Sequence, residues 1–98
     1  MYVVRDIFTA KPGCASKLAD LFKRVFANEP NFRVMTDLIG RYNTVEMEFE
    51  VDDLAAYEQQ MKEYKEGKLN VDPKLAEEMK GYTELWLTGR REIYQVAK

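Results

Sequence analysis

The sequence predicts an α+β fold, a four-stranded antiparallel sheet carrying its helices on one face. Three observations lead to it. The hydrophobic period changes from strand-like to helix-like across Lys11-Pro12-Gly13. Residues 44–51 alternate strictly between apolar and polar side chains. Late in the chain, Asp72-Pro73 restarts a helix before a final β-branched and aromatic stretch.

The first element is Tyr2 to Ala10, rich in β-branched and aromatic residues. Lys11-Pro12-Gly13 stops it, since proline removes a ladder donor and glycine permits a turn. From Cys14, residues Leu18, Leu21, Phe22, Val25 and Phe26 recur at three- and four-residue spacing, the stripe of an amphipathic helix. Lys17, Asp20, Lys23 and Arg24 fall on its other side, and Ser16 or Gly13 is the expected cap. Asn28-Glu29-Pro30-Asn31 ends it, because the residue before a proline avoids the helical region.

A strand is expected over Phe32 to Arg41, then a hairpin connection at Gly40-Arg41-Tyr42-Asn43. In the next strand, Thr44 to Val51, residues Val45, Met47, Phe49 and Val51 point one way and Thr44, Glu46, Glu48 and Glu50 the other. Asp52 or Asp53 caps a helix over Leu54 to Glu66, with Leu54, Tyr57, Met61 and Tyr64 or Lys65 facing inward and Gly67 at its end. Asp72-Pro73 starts a shorter helix carrying Leu75, Met79 and Tyr82. Glu84-Leu85-Trp86-Leu87 fits either a helix end or a short extended piece, and Arg90 to Val96 is the last strand. The order β-α-β-β-α-(α)-β is that of ferredoxin-like folds, here one domain spanning residues 1–98.

Composition narrows the function. Fifteen Lys and Arg against seventeen Asp and Glu leave a net charge of −2 with the signs interspersed, so no basic stripe points to nucleic acid. No apolar run approaches the roughly 20 residues of a membrane span. Met1 to Asp6 lacks the basic-then-apolar layout of a signal peptide, and a cytoplasmic protein is expected. The sequence contains no histidine, which excludes imidazole-ligated haem, His-containing zinc sites and Ser-His or Cys-His nucleophile pairs. Cys14 is the single cysteine, so no intrachain disulfide forms; it reads as an inert thiol at a helix start. Catalysis would fall to carboxylates, Arg, Lys, Tyr or an external cofactor.

Helices cover one face of such a sheet, and the other meets water or a partner. On the third strand that second face carries Glu46, Glu48 and Glu50, which repel one another unless water or cations intervene. Candidate cations are Arg33 and Arg41 around the second strand, Arg90 or Arg91 on the fourth, and Arg5 on the first. Whether Arg5 or Asp6 faces away from the helices stays open, because Val3/Arg5/Ile7 and Val4/Asp6/Phe8 are both half apolar. One reading is a solvated face. The other is a homodimer in which two such faces meet and enclose a cleft, for which Met35, Ile39, Trp86 and Tyr94 supply apolar surface. Setting Glu46, Glu48 and Glu50 against Arg33, Arg41 and Arg91 balances the charges and favours a structural role for the face.

Phe8-Thr9-Ala10-Lys11-Pro12-Gly13 resembles the strand end "Y-T-L-K-P-G" of NIPSNAP-like domains. Thr36-Asp37-Leu38-Ile39-Gly40 with Asn43 and Val45 is similar to their "T-x-I-G-x-L-N-x-V" hairpin, and Arg91-Glu92-Ile93 resembles their closing strand. The resemblance implies a dimeric α+β barrel related to antibiotic-biosynthesis-monooxygenase-like and EthD-like proteins, with a pocket between sheet and helices or inside the barrel. It departs where NIPSNAP-like domains often carry Arg in the first strand, here Asp6, and His and Trp in the third, here Met47 and Phe49.

The residues expected to line a pocket or interface are Arg5, Arg33, Asp37, Tyr42, Glu46, Glu48, Trp86 and Tyr94. The monooxygenase-like relatives imply an anionic substrate held by Arg33 or Arg5, with Tyr42, Tyr94 or Trp86 shaping the pocket. Glu46 and Glu48 would serve as an acid–base pair only if repulsion and burial raise their pKa values. No metal site is expected, since strand glutamates without a ligand loop hold Mg²⁺ or Ca²⁺ poorly, and no cofactor is expected. Two functions follow. One is a small dimer binding a small organic molecule between sheet and helices, with cofactor-independent oxygenase chemistry as its enzymatic form. The other is a non-catalytic dimer whose Glu/Arg face is interface alone.

Overall fold

The computed structural model describes residues 1–66 and 72–98. Strands β1 (Tyr2–Ala10), β2 (Phe32–Thr36), β3 (Thr44–Val51) and β4 (Trp86–Gln95) form one antiparallel sheet in the order β2-β3-β1-β4. Helices α1 (Ala15–Val25), α2 (Leu54–Lys65) and α3 (Pro73–Met79) and a 3₁₀ turn (Tyr82–Leu85) are the other elements among the described residues. This is the predicted ferredoxin-like order, with the extra short helix before the last strand.

The core forms because α1 and the sheet present matching apolar faces. Leu18, Leu21, Phe22 and Val25 are the buried stripe of α1. Val4 on β1 and Val45, Met47 and Phe49 on β3 are buried with them. Aromatic rings extend the contact sideways: Phe8 meets Phe22 and Trp86, each at 5.3 Å between centroids, and Phe32 meets Phe49 at 4.9 Å. Gly89 is required here, since a Cβ at that position would lie 2.9 Å from the Phe8 ring.

Several boundaries differ from expectation for local reasons. The second strand stops at Thr36 rather than Arg41. In register the next pair would be Asp37 with Thr44, but the Asp37 side chain accepts the Thr44 N–H at 3.0 Å and turns the chain away. Tyr42 and Asn43 complete the loop with φ of 69° and 57°. Leu38 and Ile39 are therefore 97% and 95% exposed on the loop, and Ile39 is not part of the sheet.

Cys14 occupies the cap of α1 and no side chain bonds there, so neither Ser16 nor Gly13 serves. At α2 it is Asp53, not Asp52, whose carboxylate accepts from Ala55 N at 2.9 Å. Asp72 accepts from Lys74 N at 2.8 Å, the expected cap-then-proline start of α3. Tyr57 and Met61 face inward on α2 as expected, but Leu54 is exposed. The inward placement of Tyr64 or Lys65 and the stop at Gly67 lie outside what the structure describes. β4 begins at Trp86, earlier than Arg90, because Trp86 pairs with Ala10 across an irregularity in the ladder.

Candidate functional site

The register settles the parity of β1. Arg5 stands opposite Glu48 on one side and Glu92 on the other, and Arg33 stands opposite Glu48 across β2 and β3. Side chains alternate across a strand, so Arg33, Glu48, Arg5 and Glu92 form one row on the sheet face away from the helices. Arg5 is its hub. Its Nε donates to Glu46 Oε1 at 2.8 Å and lies 3.4 Å from Glu48 Oε1, while Nη1 is 3.7 Å from Glu92 Oε1. Arg33 Nη2 is 2.6 Å from Glu48 Oε2, and Arg90 Nε donates to Glu92 Oε2 at 3.2 Å. Tyr94 donates its hydroxyl proton to Glu92, and the Arg5 guanidinium lies 5.6 Å from the Tyr94 ring centroid.

Five of the eight predicted residues thus meet on this face: Arg5, Arg33, Glu46, Glu48 and Tyr94. Asp37 and Tyr42 belong instead to the 37–43 loop, where they border a shallow hollow of about 460 Å³ with Leu38 and Ile39. Trp86 packs on the helix side against Phe8 and Tyr82, because the ladder irregularity precedes it. The expected cation set also changes. Arg91 points to the helix side, Arg41 is exposed in the loop, and Arg5 takes their place.

The direction of titration at Glu46 is opposite to the one an acid–base role there would need. The hydrogen bond from Arg5 holds the Glu46 carboxyl below its ordinary value, outweighing its partial burial. The unfolded chain therefore takes up this proton first on acidification. The stabilisation is complete above the ordinary value of 4.5 and vanishes as pH falls through the folded-state value. Glu46→Gln is expected to be about 1 kcal/mol less stable than wild type at neutral pH, and the deficit should shrink as the pH is lowered below 4.5, as read by urea unfolding at neutral and at acid pH. An equal deficit at both pH values would show that the Arg5 pair contributes nothing.

The helix side holds a different arrangement. Between sheet and helices lies a cavity of about 270 Å³, walled by Phe8, Phe22, Phe26, Met47, Phe49, Met61 and Met79. Its polar lining is Asp6, Arg91 and Tyr82. Asp6 is only 5% exposed, and Arg91 clamps it with Nε at 2.5 Å from Oδ1 and Nη2 at 3.3 Å from Oδ2. The Arg91 guanidinium also sits 5.9 Å from the Tyr57 ring centroid. Burial pushes the Tyr57 phenol above its ordinary value, and its hydroxyl has no hydrogen-bond partner among the described residues.

Asp6, Met47 and Phe49, where the sequence departs from the NIPSNAP-like pattern, all line this cavity. The Asp6–Arg91 pair escaped the sequence reading. Its two members are 85 residues apart, and only the β1–β4 register brings them together.

Solved structures share this architecture. A NIPSNAP domain protein from Burkholderia xenovorans superposes with a TM-score of 0.74 at 15% identity, over 99% of this chain and 95% of that one. A NIPSNAP family protein from Agrobacterium tumefaciens gives 0.69 at 14% identity, over 98% and 92%. The fold is the one seen in NIPSNAP structures. SnoaB, a cofactor-independent oxygenase from Streptomyces nogalater, shares it at a TM-score of 0.64 and 14% identity, over 99% and 93%. No protein-family model matches the chain, and no curated protein does. The NIPSNAP-like resemblance read from the motifs is thus matched at the level of fold.

Proposed function

We propose that this protein binds a small, mainly apolar organic molecule in the cavity between sheet and helices, and that two copies associate through their open sheet faces. The observation that carries the first part is the cavity's composition: aromatic and methionine walls around a buried Asp6 that the half-exposed Arg91 neutralises. Apolar walls with a few convergent polar groups are the usual form of a ligand site. At about 270 Å³ the space suits a ligand of one or two fused rings rather than a drug-sized molecule.

Because Asp6 already compensates Arg91, a neutral ligand with a hydroxyl or carbonyl fits better than a carboxylate. Oxygenase chemistry of the kind named for the Streptomyces neighbour would take place here, with Asp6 and Tyr82 as the groups able to exchange a proton with the bound molecule. The open face favours packing over chemistry, since Glu46, Glu48 and Glu92 are each engaged by arginine.

Titration with 2-naphthol, a neutral two-ring phenol, followed by calorimetry tests the cavity. One molecule should bind per chain, and Met79→Trp, which fills the space from α3, should weaken binding by at least about tenfold. Undiminished binding by Met79→Trp, or no binding by wild type, would overturn the assignment.

A further inference from the structure

The cavity that holds Asp6 and Arg91 has a smaller neighbour of about 130 Å³, walled on its far side by Pro30, Val51 and Tyr57. Phe26, Phe49 and Met61 line both cavities, so these three side chains form the partition between them. Phe26 and Phe49 hold each other edge to face at 5.3 Å, and both meet the ring of Phe32. Met61 is the unbranched, flexible member of the partition. It can turn aside without separating any aromatic pair.

Tyr57 stands at this junction. It lines the smaller cavity, while the Arg91 guanidinium of the larger one lies 5.9 Å from its ring centroid. On α2 it precedes Met61 by four residues, which places the two side by side on one helix face. Tyr57 is only 8% exposed, and its buried hydroxyl has no hydrogen-bond partner among the described residues. An unpaired buried hydroxyl costs free energy, which an acceptor oxygen brought by a ligand would recover. Burial also keeps the phenol protonated, so the group is a donor.

We infer that the two cavities serve one elongated ligand, with a fused-ring body in the larger space and a short uncharged arm that passes Met61 into the smaller, where its carbonyl or ether oxygen accepts from Tyr57. This rests on the ligand site proposed above and extends its occupant from a ring system to a ring system with an arm. The charge of the arm follows from the walls. Glu29 and Glu50 line the smaller cavity, and among the described residues no Lys or Arg does. Gln60 Nε2 donates to Glu29 Oε1 at 2.9 Å, which fixes that carboxylate and ties α2 to the segment after α1. A carboxylate arm would meet two like charges with no cation to offset them. An ammonium arm would suit the carboxylates but has no lone pair for Tyr57. A ketone, ester or ether arm satisfies both conditions.

The probe is 4-(2-naphthyl)butan-2-one, which has the ring system of 2-naphthol and an arm carrying a ketone. Calorimetry should show one molecule bound per wild-type chain. Tyr57→Phe removes the hydroxyl alone; it should weaken ketone binding by about tenfold and leave 2-naphthol within about twofold of wild type. Val51→Trp fills the smaller cavity from β3 and should weaken the ketone by at least about tenfold while sparing 2-naphthol. The near-isosteric acid 3-(2-naphthyl)propanoate should bind wild type at least about tenfold more weakly than the ketone. Without ligand, Tyr57→Phe should unfold in urea at the wild-type midpoint or above it, because it removes an unpaired group.

Several results would overturn the inference and leave the larger cavity standing as a ligand site. They are 2-naphthol binding without ketone binding, ketone binding that Tyr57→Phe leaves unchanged, an equal loss of both probes in that variant, or acid binding as tight as the ketone's. A lowered urea midpoint for Tyr57→Phe would do the same, since the hydroxyl would then already be satisfied in the free protein. Failure of wild type to bind either 2-naphthol or the ketone would instead remove the ligand site itself. Circular dichroism reports whether Val51→Trp is folded, and Tyr57→Phe decides the matter alone if it is not.

Discussion

Replacing Phe22 by alanine is expected to lower stability by about 4 kcal/mol, within the range for emptying a buried aromatic site. The ring is 1% exposed on the inner stripe of α1. It meets Phe8 at 5.3 Å and the edge of Tyr82 at 6.2 Å, so its loss removes contacts to both β1 and the turn before β4. Phe22 also lines the cavity beneath the helices. Its removal would join new empty space to existing space, and the neighbours would have little to collapse onto. Urea unfolding with an unchanged slope would report the loss as stability alone. Leu38→Ala, on the exposed loop, provides the contrast and should stay within about 0.5 kcal/mol of wild type. A Phe22→Ala deficit near that of Leu38→Ala would place the ring outside the core.

How much of this was legible in the sequence depends on how local the cause was. The stripe of α1 and the alternation of β3 follow from nearest neighbours along the chain, and both elements stand where the periods put them. The restart at Asp72-Pro73 is equally local. The length of β2 was not legible, because Leu38 and Ile39 continue an acceptable strand pattern. What stops the strand is one side-chain bond from Asp37 to Thr44, which no period encodes.

The candidate site shows the same division. Alternation alone places Glu46 and Glu48 on the open face. Arg5 could not be placed, because both parities of β1 are half apolar and only pairing with β3 and β4 decides between them. The same pairing turns Asp6 inward and gives it Arg91, so a register formed by distant segments creates both the charge row and the Asp6–Arg91 pair.

That half-buried pair should respond unequally to removal of its two members. Asp6 carries 8% of its side-chain surface to solvent, and Arg91 carries 49%. Arg91→Met leaves a carboxylate buried without its clamp and is expected to cost about 3 kcal/mol, as for other buried pairs broken from one side. Asp6→Leu leaves a guanidinium that can turn outward into water, and a smaller deficit of about 1 kcal/mol is expected. The double variant removes both charges from a cavity with apolar walls, so it should recover most of the Arg91→Met loss. The three variants and wild type form a cycle readable by urea unfolding. Equal single deficits that add in the double variant would mean that the two groups act independently, and that the 2.5 Å contact between Arg91 Nε and Asp6 Oδ1 carries no coupling. A recovered double variant would in turn sharpen the ligand reading. The double variant should stay folded, yet it would lack the charged pair that gives the cavity two of its three polar contacts. Weaker 2-naphthol binding by such a stable protein would assign recognition of the hydroxyl to the Asp6–Arg91 pair.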